Sequence, residues 1–201
     1  MLKELFEASF YITFPKKEGA ILMLNERIVQ GDFVLIDSHA CQNCQYVCNV
    51  LPEEREQLKV HGKSLVSILA LDQVFGYVRE DVGEICDYLL DGKESVILIE
   101  MTCSASTYVN SKRMKARNQL LNTLSLLYTN PDVKKHIEKK KHCYVVFSWK
   151  ETIDENPDNV ESSMKGMVLM ADEIYSPDNE SNFDFGFKLK EIRYPDMLVC
   201  Q

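Results

Sequence analysis

The chain has 201 residues and a formal charge of -8, from 23 Lys plus Arg against 31 Asp plus Glu; 45% of residues are hydrophobic and 27% charged. That composition suits one soluble globular domain with an ordinary core. The acidic balance excludes a protein that wraps nucleic acid on one broad basic face, and the longest apolar runs, Leu65 to Leu71 and Val96 to Ile99, are too short to span a bilayer.

No membrane contact is expected. The opening MLKELFEASFYITF carries acids and lacks a basic start, so it does not read as a signal peptide, and the cytoplasm is the expected compartment. The seven cysteines are then expected to be reduced thiols. Cys86, Cys103, Cys143 and Cys200 lie among apolar neighbours and read as small core residues.

In chain order, Ser9 to Phe14 and Ala20 to Asn25 read as strands around a Pro15 to Gly19 turn, and Phe33 to Ile36 as a strand rich in β-branched residues. Asp37 to Cys48 carries Cys41, Cys44 and Cys48, with His39 and the later His61 nearby. Cys41 and Cys44 have zinc-knuckle spacing, so zinc is one reading of the cluster. The favoured reading is a reduced helical face packed on the core, because Cys41, Cys44 and Cys48 also fall at i, i+3 and i+7.

Pro52-Glu53-Glu54 looks like a helix start, and Ser64 to Val78 has helix-like apolar spacing at its beginning. Ile85 to Leu90 and Ser95 to Met101 are apolar runs joined by Asp91-Gly92-Lys93-Glu94, which predicts a β-hairpin. Ser111 to Tyr128 predicts a helix with an apolar stripe of Met114, Leu120, Leu121, Leu124 and Leu127, ended by Asn130-Pro131-Asp132. A short basic helix, Val133 to Lys141, leads into a strand from Cys143 to Trp149; His136 and His142 in this stretch read as solvated. Beyond Glu151, Val160 to Ile174 reads as a helix, Ser176 to Asn182 as an acidic turn, and Phe183 to Val199 as a strand with alternating Phe183, Phe185 and Phe187. The expected fold is a single α/β domain, a mixed central β-sheet flanked by helices.

The hairpin places Asp87 at the start of one strand and Glu100 at the end of the next, and antiparallel pairing brings those ends together. Two carboxylates converging at a sheet edge suit a hard divalent cation such as magnesium, which polarises a phosphodiester and lowers the pKa of an attacking water. On the following helix Lys112, Lys115 and Gln119 share one face, and Arg113 and Arg117 the adjoining one. Such a basic helix would steer a phosphate backbone towards the carboxylates.

Cys86-Asp87-Tyr88-Leu89-Leu90, Ile97-Leu98-Ile99-Glu100 and Asn118-Gln119-Leu120, followed by the strand from Cys143 to Phe147, resemble the PD-(D/E)xK nuclease superfamily in order and spacing. The resemblance covers roughly residues 64 to 149 and implies a restriction-endonuclease-like core. To it would be added an N-terminal strand-rich extension and a C-terminal helix-strand extension. It also implies magnesium or manganese on Asp87 and Glu100. The extra acidic residue that many relatives carry has no single match; Glu53, Glu54 and Glu56 are all open.

Where that family has its lysine this chain has Thr102, which hydrogen-bonds but carries no charge. The resemblance therefore implies either a metal-dependent nuclease of a microbial defence or nucleic-acid-processing system, with Lys112 or Lys115 in the lysine's role, or an inactive nuclease-fold subunit that works with a protein partner. A zinc-stabilised interaction protein is the remaining reading, resting on Cys41 to Cys48 alone.

Overall fold

A computed structural model describes residues 2–21, 24–36, 57–104, 109–151 and 180–201. Eight strands form one mixed sheet, β1 (Arg27–Ile36), β2 (Gln57–Ala70), β3 (Tyr88–Asp91), β4 (Ser95–Ser104), β5 (His142–Glu151), β6 (Glu180–Asn182), β7 (Lys188–Arg193) and β8 (Met197–Cys200). Their order is β1-β2-β3-β4-β5-β7-β6, with β8 pairing β2. The first four strands are an antiparallel meander, whereas β5 runs parallel to β4 and β7 parallel to β5. Helices α1 (Leu2–Leu5), α2 (Tyr11–Thr13), α3 (Leu71–Gly76), α4 (Val109–Thr129) and α5 (Pro131–Glu138) complete the described chain, with a π-helical turn at Phe6–Phe10 between the first two. The expected α/β domain with a mixed, helix-flanked sheet is therefore present. None of these helices is long and apolar enough to cross a membrane.

Alternation along the central strands splits the core in two. Leu89, Val96, Leu98 and Val145 pack under α4 and the N-terminal helices, while Tyr88, Leu90, Ile97, Ile99 and Val146 pack on the other face with Leu58, Val60 and Leu198. Among the described residues the second face is lined by side chains of β1, β2 and β8. Gly92 in the β3–β4 turn lets the chain end approach closely; a Cβ there would collide with the Gln201 carbonyl.

Several expectations hold. Phe33 to Ile36 lies in β1, the hairpin forms around Asp91 to Glu94, and the long helix and the strand after it are α4 and β5. Cys86 and Cys200 are buried. Others need correction. Ser9 to Phe14 is helical, because Leu2, Phe6 and Phe10 recur every fourth residue and bury one stripe, leaving Ile12 exposed. Ala20, Ile21, Leu24 and Asn25 form no strand.

Ser64 to Ala70 is strand rather than helix. Val66, Ile68 and Ala70 bury alternately against β1 and β3, so period two prevails over the i, i+3, i+4 spacing of Leu65, Ile68 and Leu69. Only Leu71–Gly76 of that stretch is helical. In α4, Met114 is exposed, and Ala116 and Thr123 join Leu120, Leu124 and Leu127 on the buried side.

Asn130 both ends α4 and caps α5. Its Oδ1 accepts from the Asp132 and Val133 amides, with Pro131 at the first helical position, while its Nδ2 donates to the Ser9 carbonyl at 2.9 Å. Phe183 to Phe187 is not strand. Asp184–Gly186 is a 3-10 turn with Phe185 at φ 58, and the hairpin partners are β6, inside the expected acidic turn, and β7. The Cys41, Cys44, Cys48 and His39 cluster, the helix start at Pro52, Glu53, Glu54 and Glu56, and the helix expected at Val160 to Ile174 lie outside the described residues.

Candidate functional site

Helix α4 and the open end of the β3–β4 hairpin build the site together. The segment before β3 is not strand, since the chain from Asp81 to Cys86 has no regular structure. Side chains on one flank of α4 hold it instead. Gln119 Nε2 donates to the Ile85 carbonyl at 3.1 Å, Asn122 Nδ2 to the Val82 and Glu84 carbonyls at 2.8 and 2.9 Å, and Thr123 Oγ1 accepts from the Cys86 amide at 2.9 Å. These groups satisfy backbone that would otherwise need a neighbouring strand. Sequence reading singled out Gln119 but not Asn122 or Thr123, whose only signal was polar character on an otherwise apolar flank.

Held this way, the chain delivers Asp87 to the end of β4. The Asp87 amide donates to the Ile99 carbonyl at 3.0 Å, and its Oδ2 accepts from the Met101 amide at 2.8 Å. Its carboxylate is thereby fixed beside the backbone of the residue that follows Glu100. Asp87 is 8% exposed, Glu100 9% and Thr102 8%. Glu100 and Thr102 continue the alternation of Val96 and Leu98 and so lie on the α4 face. The Cys86 thiol is pushed well above its ordinary range by burial, against a Thr123 hydrogen bond, with further upward contributions from Glu100 and Asp87. Cys86 stays protonated and is no nucleophile. Continuing the β3–β4 register by one residue sets Asp87 opposite Glu100.

Beside Asp87 opens a cleft of about 380 Å³ between α3, the 82–87 segment and α4, with Asp72, Phe75, Glu84, Asp87, Lys115 and Gln119 among its walls. Lys115 reaches this cleft, but its Nζ is bridged to Glu84 at 3.0 Å. Lys112 is exposed on the helix. Arg113 forks onto Glu191 of β7 at 2.6 and 2.9 Å, and Arg117 lies over the Phe183 ring, 4.8 Å from its centroid. His61 lies on β2, its Nδ1 2.5 Å from Asp32 Oδ1.

A metal must be judged on this donor set. Among the described residues no group of three or more His, Cys, Asp and Glu side chains is placed to hold one. A pair of carboxylates still fits magnesium or manganese, because such ions take one or two carboxylates and complete their shell with water and phosphate oxygens. Two carboxylates offer hard oxygen donors rather than the thiolates a soft metal prefers. Compared with known proteins, the chain matches no family model, no curated protein and no solved structure.

Proposed function

We propose that the chain is a divalent-metal-dependent phosphodiesterase acting on nucleic acid, with a restriction-endonuclease-like core from β2 to β5. The observation that carries this reading is the β3–β4 register, which brings Asp87 beside Glu100 at the open end of the hairpin, with Asp87 also lining a cleft walled by α4. A mixed sheet in which an antiparallel meander feeds a helix and then a parallel strand supports it. Magnesium or manganese, held by Asp87 and Glu100, would supply Lewis-acid polarisation of the phosphodiester and a more acidic water. The Met101 amide holds Asp87 in place, Gln119 fixes the segment that delivers it, and Thr102 offers a hydroxyl on the face of Glu100.

The test is cleavage of labelled DNA and RNA oligonucleotides with magnesium or manganese. Glu100→Ala and Asp87→Asn should each lower the rate by about a hundredfold or more while keeping the circular dichroism spectrum. Cleavage that survives both substitutions would remove the site. A second reading, an inactive nuclease-fold subunit serving a protein partner, is favoured by Thr102 in the lysine's place and by the engagement of Lys115 with Glu84. Calorimetry showing no magnesium or manganese binding, with co-purification of a second protein, would select it.

A further inference from the structure

Phe147 and Trp149 of β5 pack with Val109 and Ala116 of α4, so the residues between and beyond them, Ser148 and Lys150, turn to the opposite face of the sheet. Ser148 stands in register between Met101 of β4 and Ile192 of β7, both buried in the second core. It is 1% exposed, and its Oγ is buried with no hydrogen-bond partner. Two residues on, the Lys150 Nζ is buried and also has none. That ammonium lies over the Tyr194 ring, 4.8 Å from the centroid, and Lys59 of β2 brings a second one to 5.4 Å from the same centroid. A phenol ring attracts these cations but gives their N–H groups no oxygen to donate to.

Other cations of the sheet and its helices meet acids, Arg113 at Glu191, Lys115 at Glu84, Lys140 at Asp91 and Lys141 at Glu94. No acid meets the Lys150 ammonium, although the chain carries 31 Asp and Glu. Buried charges and hydroxyls are ordinarily paired, so two such groups on one strand face point to an acceptor from outside the chain. We propose that Lys150, Lys59 and Ser148 bind a phosphate group, with the Tyr194 ring holding the two lysines in place. A phosphate monoester suits this set, because its three terminal oxygens and its charge answer two ammonium groups and a hydroxyl. The site lies on the other side of the sheet from Glu100 and Thr102, so it does not rest on the phosphodiesterase reading. Lys59 and Tyr194 are half-buried whereas Ser148 is buried. An anion therefore enters past the lysines and ends at the serine, which admits a terminal phosphate and not the internal phosphates of a long strand.

The test titrates the full chain with inorganic phosphate and with adenosine 5′-monophosphate, followed by calorimetry and by the thermal midpoint. EDTA is present throughout, so that no metal recruits phosphate to Asp87 and Glu100. Binding should be saturable and should raise the midpoint. Lys150→Met should weaken it about tenfold or more, and Lys59→Met and Ser148→Ala each by a few-fold. Without phosphate, Lys150→Met should raise the midpoint, because an apolar side chain replaces a buried charge that has no counter-ion. A lysine retained for packing would lower it. Tighter binding of the nucleotide assigns the site to a nucleoside phosphate, and equal or weaker binding to the free ion; both support the proposal. The absence of saturable binding for either probe overturns it. So does undiminished affinity in Lys150→Met or, should that variant not fold, in both Lys59→Met and Ser148→Ala.

Discussion

The β3–β4 hairpin carries acidic residues at both of its ends, and the surroundings of the two pairs differ. At the turn, Asp91 accepts from Lys140 at 2.7 Å and from His136 at 3.1 Å, and Glu94 meets Lys141 at 2.6 Å. These cations come from the segment that leads into β5, so they tie the hairpin to its parallel neighbour. At the open end, Asp87 accepts from the Met101 amide beside Glu100 and lines a cleft. One end gathers opposite charges and locks the sheet. The other sets two carboxylates, Asp87 and Glu100, on neighbouring chain segments. The contrast is the one expected if the open end serves the proposed metal site and the turn end serves only the fold.

Removing Asp91 should break the comparison at its stable end. Asp91 and Lys140 are each only 12% exposed at the side chain, so Asp91→Ala leaves a cation poorly solvated and should cost about 3 kcal/mol in urea unfolding. A loss below about 0.5 kcal/mol would erase the distinction between the ends. At the open end the expected sign reverses. Glu100→Gln, in metal-free buffer, should raise stability by about 1 kcal/mol as like-charge repulsion is relieved; a thermal midpoint lower than that of the natural protein would argue against a strained carboxylate pair.

The smallest effect concerns an acid at the sheet edge. Hydrogen bonds from Lys188 and Lys190 hold the Glu180 carboxyl down to about 2. A folded pKa below the ordinary 4.5 adds stability above that pH and loses it as pH falls towards 2. Amide exchange in β6 should therefore quicken over that acid range while exchange in β4 stays slow. Glu180 sits on a short, exposed edge strand, so screening keeps the effect small.

How much of this was legible beforehand depended on how local the signal was. Asp91-Gly92 between two apolar runs, and the recurrence of Leu120, Leu124 and Leu127, are short-range patterns, and the hairpin and α4 follow from them. Asp87 and Glu100 could be singled out because a hairpin fixes which strand ends meet. Leu65, Ile68 and Leu69 misled because a strand lying between β1 and β3 buries consecutive residues, Ile68 and Leu69, on opposite faces. The N-terminal aromatics misled in the other sense: Phe10, Tyr11 and Phe14 favour strand by type, yet Phe10 stacks edge-on against Phe75 and the stripe is helical. The stacking of Arg193 on Trp149 was not legible either, because it depends on the parallel register of β5 and β7, which no spacing within either strand reveals.

The pairing of β8 with β2 has a consequence for the order of assembly. Residues 87–151 hold the two carboxylates among sequential neighbours, a hairpin, a crossover helix and one parallel strand. Residues 197–200 must instead find residues 59–62 across most of the chain before Leu58, Val60 and Leu198 can bury together. Closing so long a loop costs stability only logarithmically with its length, but non-local pairing of this kind slows folding. The proposed carboxylate site thus lies in a stretch built from near contacts, while covering the sheet's second face waits on the longest-range strand pairing among the described residues.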